Sequence, residues 1–205
     1  MNTERLDTSA SHAIAHALEV LKAGGLVAFP TDTVYGLGVP AFTPESIERL
    51  YQIKGREQTK AIAVLIAERV ELGKVAAAVS QQAELLAARF WPGPLTMVLP
   101  RHPSLPSILS PNDTIGVRLP DHLVARTLLT VAGPMAVTSA NLAGGTNARS
   151  ADEVLAQLGG RIELVLDGGL TPGDTSSTVV DMTGDEVRVL RAGPISEAQI
   201  RAALA

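Results

Sequence analysis

The chain has 205 residues, and its 46% hydrophobic content is enough for a substantial core, which excludes disorder as its main state. Its 17 Lys and Arg against 21 Asp and Glu leave a net charge of −4, so no global positive field draws it to phosphate backbones. It has no cysteine, which removes thiolate nucleophiles, disulfides, iron–sulfur clusters and cysteine-ligated zinc.

The first residues carry Glu4 and Asp7 where a secretory leader needs a basic patch ahead of an apolar run. Apolar stretches such as 26–29 and 61–66 are far shorter than the roughly 20 residues that span a bilayer. A cytoplasmic protein with no membrane partner is expected. Ile14, Ala17, Leu18 and Leu21 recur at helical spacing between a Ser9 or Ser11 cap and a Gly24-Gly25 stop, which predicts an amphipathic opening helix. A strand at 26–29 follows. After it comes a hydroxyl-rich turn, Pro30-Thr31-Asp32-Thr33-Val34-Tyr35-Gly36-Leu37-Gly38, whose glycine pair reads as tight backbone.

Thr43-Pro44-Glu45 supplies the cap, first-turn proline and early acid of a second helix, striped by Ile47, Leu50 and Tyr51 and running into Lys54-Gly55-Arg56. Further apolar runs predict strands at 61–66, 95–99, 115–119, 135–137, 162–166, 178–180 and 187–190. Helices are predicted at 81–90, 122–131, 151–158 and 197–204, the last two capped by Ser150 and Ser196. This alternation predicts an α/β sheet with flanking helices. Connections such as 167–177 are too short for helical crossovers, so the sheet should be mixed. No repeat or linker divides the chain and its longest irregular stretch is 100–113, so one domain over residues 1–205 is expected.

Familiar catalytic motifs are absent: there is no GxxxxGK[ST] phosphate loop, GxSxG elbow or HExxH. Gly36-Leu37-Gly38 lacks the third glycine of a dinucleotide fingerprint. His12, His16 and Glu19 lie opposite the apolar stripe of the first helix and read as its solvated face. His102 and His122 stand alone, without triad partners.

Polar chemistry instead gathers at strand ends, where an open sheet builds its ligand crevice. The hydroxyl-rich turn is the first such segment, and alone it is equally a well-capped turn. Lys54-Gly55-Arg56 with Lys60 is the second; its cations complement a helix dipole, yet they also suit an oligophosphate. In the third, Asp113 to Pro120, an apolar strand carries Arg118, which must point outward or meet a carboxylate, and a ligand carboxylate would serve. The fourth, Thr138 to Gly145, is a loop offering hydroxyl, amide and backbone donors.

In this order, PTDTVYGLG, YQIKGR with Lys60, FWPGPLT, GVRLPDH, TSAN, the STVVD of 177–181 and VLRAGPI resemble the YrdC-like family, and they span 30–195. The resemblance implies a twisted open sheet around a large concave cavity. It also implies threonylcarbamoyl-AMP synthesis: L-threonine, bicarbonate and ATP give threonylcarbamoyl-AMP and pyrophosphate for a tRNA modification next to the anticodon. The chain is similar to the short, single-domain type, because it ends soon after Pro194.

Carried over by position, Thr33, Arg118 and Ser177, with the main chain at Val137, match the family's threonine site, and Arg118 would grip the amino-acid carboxylate. Arg56, Lys60, Thr114, Ser139, Asn147 and Arg191 match its nucleotide site. Lys54 and Asn141 complete its KxR and SxN signatures, and all of these should face the phosphates and the adenosine. Departures from the family pattern stand at Ala61, Leu65 and Ala143, where proline, histidine and serine are common.

The implied mechanism needs no protein nucleophile. A carbamate formed on the threonine amine attacks the α-phosphate, and Lys54, Arg56 and Lys60 stabilise charge. Magnesium should arrive on the triphosphate, since no carboxylate cluster marks a protein-held site. An RNA-binding module without chemistry is the competing reading, disfavoured by the net charge of −4 and only six aromatics (Trp 1, Tyr 2, Phe 3). A second keeps the fold but makes carbamoyl-AMP, as in the domain of hydrogenase maturation proteins that this chain resembles. Possible partners are tRNA and downstream threonylcarbamoyl-transfer enzymes.

Overall fold

A computed structural model describes residues 2–184 and 186–205. In chain order the elements are β1 (Glu4–Asp7), α1 (Ala13–Lys22), β2 (Val27–Phe29), β3 (Gly36–Pro40), α2 (Pro44–Lys54), β4 (Ala63–Leu65), α3 (Leu72–Val75), α4 (Gln81–Phe90) and β5 (Leu95–Pro100). There follow β6 (Thr114–Arg118), α5 (Leu123–Ala132), β7 (Met135–Ser139), α6 (Ala151–Leu158), β8 (Leu164–Asp167), β9 (Thr178–Asp181), β10 (Arg188–Arg191) and α7 (Glu197–Leu204). Single 3₁₀ turns occupy Arg69–Glu71 and Ser107–Leu109.

The described strands form one 10-stranded sheet in the order β1-β8-β2-β3-β7-β4-β6-β5-β9-β10. It is mixed, as expected: β1/β8, β2/β8, β4/β6 and β5/β9 are parallel and the other neighbours antiparallel. Side chains alternate between faces along each strand, and the two faces have different fates. Leu37, Val64, Met97, Val117 and Val180 face a core shared with Ile47 and Leu50 of α2, Leu86 of α4, Val154 of α6 and Ile200 of α7. On the other face Phe29, Leu65, Met135, Val137 and Leu166 pack with Ala17 and Leu21 of α1 and Leu128 and Leu129 of α5. The second cover is partial, and beside it Gly36, Ala63, Thr96, Gly116 and Val179 line an open cavity.

Three expectations need correction. Gly36-Leu37-Gly38 is not turn backbone but the start of β3, central in the sheet and paired with β2 and β7. Its glycines are needed because a Cβ on Gly38 would sit 2.8 Å from Met135 Cε and 3.0 Å from Phe29 Cε1. Second, the opening helix is capped at His12 without any side-chain bond, so neither Ser9 nor Ser11 serves. Third, a strand precedes that helix: β1 is short and exposed, so it has no apolar signature. It does bind His16, whose Nε2 lies 2.8 Å from Glu4 Oε2, so that histidine is tied down rather than merely solvated.

The position of Leu37 is testable. It is fully buried in β3, so Leu37→Ala should lower unfolding free energy by about 2–5 kcal/mol in denaturant titrations. A surface turn residue would change it by only about 0.5 kcal/mol.

Candidate functional site

Arg118 is the most constrained cation in the site. It ends β6 at 6% exposure, and its guanidinium donates from Nε to the Gly93 carbonyl (3.1 Å), from Nη1 to Thr33 Oγ1 (3.0 Å) and from Nη2 to Asp32 Oδ1 (2.5 Å). Burial lowers its pKa against the opposing pull of Asp32, and arginine stays charged regardless. The carboxylate demanded by an arginine in an apolar strand is therefore Asp32, inside the protein. Three of five N–H donors are used, which leaves two for a ligand at the cavity wall.

The hydroxyls beneath Arg118 have a fixed direction. Thr31 Oγ1 spends its proton on the Val34 carbonyl at 2.7 Å, so Thr33 must be the donor across the 3.0 Å Thr31–Thr33 pair. Thr33 Oγ1 accepts from Arg118 and offers the cavity only a lone pair. Tyr35, from the same segment, donates its hydroxyl to the Gly169 carbonyl at 2.8 Å and accepts from the Gly168 N–H at 3.2 Å. This fixes the start of the 168–177 connection, and burial pushes the phenol up to about 12.

Ser177, before β9, shares a 2.7 Å hydrogen bond with Thr96 of β5. Arg191 of β10 donates to the Ser177 carbonyl from Nε (3.0 Å) and Nη2 (2.8 Å), and to Ser177 Oγ at 3.1 Å. The following turn packs so tightly that a Cβ on Gly193 would lie 2.4 Å from the Thr178 nitrogen. Arg56, after α2, donates from Nε to the Lys60 carbonyl (3.1 Å) and from Nη2 to that of Ala61 (2.8 Å). Burial, then the charges of Arg118 and Arg56, lower the Arg191 pKa, so three guanidiniums feel one another across the site.

These groups enclose a cavity of about 260 Å³. Of the residues singled out in the sequence, Thr33, Arg56, Arg118, Val137, Ser139, Ser177 and Arg191 form its wall. Lys54, Lys60, Thr114, Asn141 and Asn147 lie outside it. Lys60 is exposed with Glu57 3.9 Å away, Thr114 opens β6 opposite Pro100, and Asn147 is half-buried in the loop before α6. The sequence reading did not assign Asp32, Thr96 or the Gly93 carbonyl, although each lies within a motif it quoted.

Lys54 requires the largest revision. It is 3% exposed, and its ammonium donates to the carbonyl of Ser139, to Ser139 Oγ at 3.1 Å and to Asn141 Oδ1 at 2.7 Å. All three donors are spent inside the protein, so it does not face a phosphate. Ser139 Oγ donates to Asn141 Oδ1 at 2.5 Å, and Asn141 Nδ2 holds the carbonyls of Leu142 (3.0 Å) and Gly145 (2.7 Å). Lys54 and Asn141 thus form a clamp that holds Ser139 in the wall.

Burial first, and the Arg56 charge second, push Lys54 from 10.5 down to about 7. Between those values the unfolded chain holds a proton that the folded chain has released, so the lysine's contribution to stability rises with pH across that window. Lys54→Met has no such group. Denaturant titrations from pH 7 to 9.5 should therefore show the parent gaining stability relative to Lys54→Met, at or above about 7. A difference that is flat with pH would contradict the clamp's burial.

The sequence and fold have relatives. The family model of Sua5, YciO and YrdC, described as "Telomere recombination", matches residues 19–193. The chain is 40% identical over 181 residues to a threonylcarbamoyl-AMP synthase of Pyrococcus abyssi, covering 86% of this chain and 53% of that one. It is 39% identical over 191 residues to a putative threonylcarbamoyl-AMP synthase of Mycobacterium tuberculosis, covering 93% and 88% of the two chains. The crystal structure of P. abyssi Sua5 complexed with L-threonine superposes with a TM-score of 0.94 at 35% identity, over all of this chain and 61% of that one. The chain thus spans little more than half the length of the Pyrococcus proteins it matches. By sequence and by fold, it belongs to the Sua5, YciO and YrdC family.

Proposed function

We propose that this chain is a nucleotidyltransferase that makes threonylcarbamoyl-AMP and pyrophosphate from L-threonine, bicarbonate and ATP, in the cytoplasm, for modification of tRNA beside the anticodon. One observation carries the reading. Among the described residues, the cavity wall has three guanidiniums and seven Ser or Thr residues, but no histidine, lysine or carboxylate. Such a wall neutralises anions and supplies neither a strong nucleophile nor a general base. That suits a reaction whose nucleophile belongs to a substrate.

In the reaction the threonine amine loses a proton and bonds to carbon dioxide derived from bicarbonate. The resulting carbamate oxygen attacks the α-phosphate in line; the bond to the bridging oxygen breaks, and pyrophosphate leaves with its electron pair. Arg118 takes the threonine carboxylate with its two remaining N–H groups, beside Thr33, Ser177 and the Val137 main chain. Arg56, Ser139 and Arg191 meet the nucleotide, which extends past the wall toward Lys60, Thr114 and Asn147. Positioning and charge neutralisation then supply the catalysis. Among the described residues the wall holds no carboxylate, so magnesium would arrive with ATP, where it would neutralise phosphate charge beside Arg56 and Arg191. The product passes to downstream enzymes that transfer threonylcarbamoyl to tRNA. A threonine complex of a structurally similar protein and the names of the similar proteins support this reading.

The test is incubation with ATP, labelled bicarbonate and threonine, serine or no amino acid, followed by separation of adenylates. Labelled adenylate and pyrophosphate should form with threonine and without tRNA. Release that requires tRNA would favour an RNA-binding role, and an unchanged rate without threonine would favour carbamoyl-AMP. In the same assay Arg56→Ala should slow synthesis by about a hundredfold with folding little changed. Arg56→Lys should restore only part, because an ammonium cannot reproduce the fork.

A further inference from the structure

We propose that Asp32 is a positioning residue that sets threonine affinity by fixing the orientation of the Arg118 guanidinium. The inference rests on the assignment of Arg118 to the threonine carboxylate above. Asp32 does not line the cavity. Its Oδ1 accepts from Arg118 Nη2 at 2.5 Å and from the Asp121 N–H at 3.1 Å, so the helix start that follows β6 holds the carboxylate in place. The ion pair is buried, with side-chain exposures of 8% for Arg118 and 11% for Asp32.

Stability alone is a poor reason for such a pair. Two buried charges lose most of their hydration, and well-packed apolar residues of similar size are commonly as stable or more so. What the pair does supply is direction. Gly93, Thr33 and Asp32 each take one N–H, from Nε, Nη1 and Nη2 respectively, so the guanidinium cannot rotate about its terminal bonds without breaking one of them. The two remaining N–H groups are then preorganised for a carboxylate, which reduces the ordering cost of binding.

Charge supplies a second reason. Arg118 and Arg56 both lower the pKa of Arg191, so the guanidiniums repel one another, and among the described residues the wall contains no anion to offset them. Asp32 is the carboxylate paired with Arg118, placed behind the wall where it holds the arginine without competing for the cavity-facing donors.

The variants are Asp32→Ala, which removes acceptor and charge, and Asp32→Asn, which keeps an acceptor at the same place and protects against a folding failure of the first. KM for threonine and for ATP, kcat, melting temperature and the calorimetric Kd of L-threonine are measured for each. Asp32→Ala should raise the threonine KM and Kd by about tenfold or more while the ATP KM stays within about twofold, and Asp32→Asn should recover part of the loss. In the Asp32→Ala/Arg118→Ala double variant the threonine Kd should match that of Arg118→Ala, because Asp32 acts through Arg118.

A lower melting temperature with unaltered threonine Kd in both variants would overturn the proposal. So would additive losses in the double variant, or an ATP KM that rises in place of the threonine one. A parent protein that binds threonine but forms no adenylate would refute the proposed reaction, while the Kd series would still decide the role of Asp32. A parent that does not bind threonine would overturn both.

Discussion

A guanidinium placed at the end of an apolar strand has to be surrounded by acceptors, and meeting that demand at Arg118 brings three distant segments together. The turn after β2 contributes Asp32 and Thr33, and the turn before β5 contributes the Gly93 carbonyl. Gly93 is itself held by its N–H on the Leu119 carbonyl at 2.8 Å, one residue beyond Arg118. The arginine and its acceptors therefore fix each other. An isolated buried arginine would cost several kcal/mol in lost hydration, so the site must assemble as a unit with the sheet.

The cavity exists because the second face of the sheet is only partly covered. α1 packs against α5 and against β2 and β8, the apolar cluster extends to Leu65 of β4 and to Met135 and Val137 of β7, and among the described residues none of β5, β6 or β9 joins it. Gly36, Ala63, Thr96, Gly116 and Ser177, which are small or hydroxylated, line the open side together with Val98 and Val179, while the neighbours Leu37, Val64, Met97, Val117 and Thr178 are buried. Strand alternation thus lets one segment serve the core with every second residue and the ligand with the next.

Much of this was legible in the sequence, because amphipathic helices and apolar strands carry their period openly. α4, α6 and α7 lie where spacing put them, with Ser150 and Ser196 capping α6 and α7 as expected and Ser80, not read as a cap, doing the same for α4; each accepts from the N–H three residues on. β3 was not legible, since two of its five residues are glycines required by contacts with Phe29, Met135 and Val137 that only the assembled sheet creates. β1 was hidden for the opposite reason: as an exposed edge it is polar, and pairing with β8 is what orders it. The same distinction holds in the site. The motifs located Arg118 and Arg56, but spacing contains nothing to say that Asp32 would satisfy the first internally, or that Lys54 would turn inward while Arg56, two residues later, turns to the cavity.

That split between Lys54 and Arg56 gives the cavity its polarity. The compact ammonium fits a buried nest of three oxygens, and by filling it leaves Ser139 Oγ with its proton committed to Asn141. Thr33 is in the same state, its proton directed to Thr31 and a lone pair open to the cavity. The guanidiniums, by contrast, can only donate. At Thr33 and Ser139 the wall therefore presents acceptors, while its guanidinium nitrogens present donors. A ligand with negative charge at one end and an N–H or O–H group nearby can satisfy both kinds of group in a single orientation. The direction of the protein's own protons thus adds to the charges of the wall in deciding how a ligand can orient there.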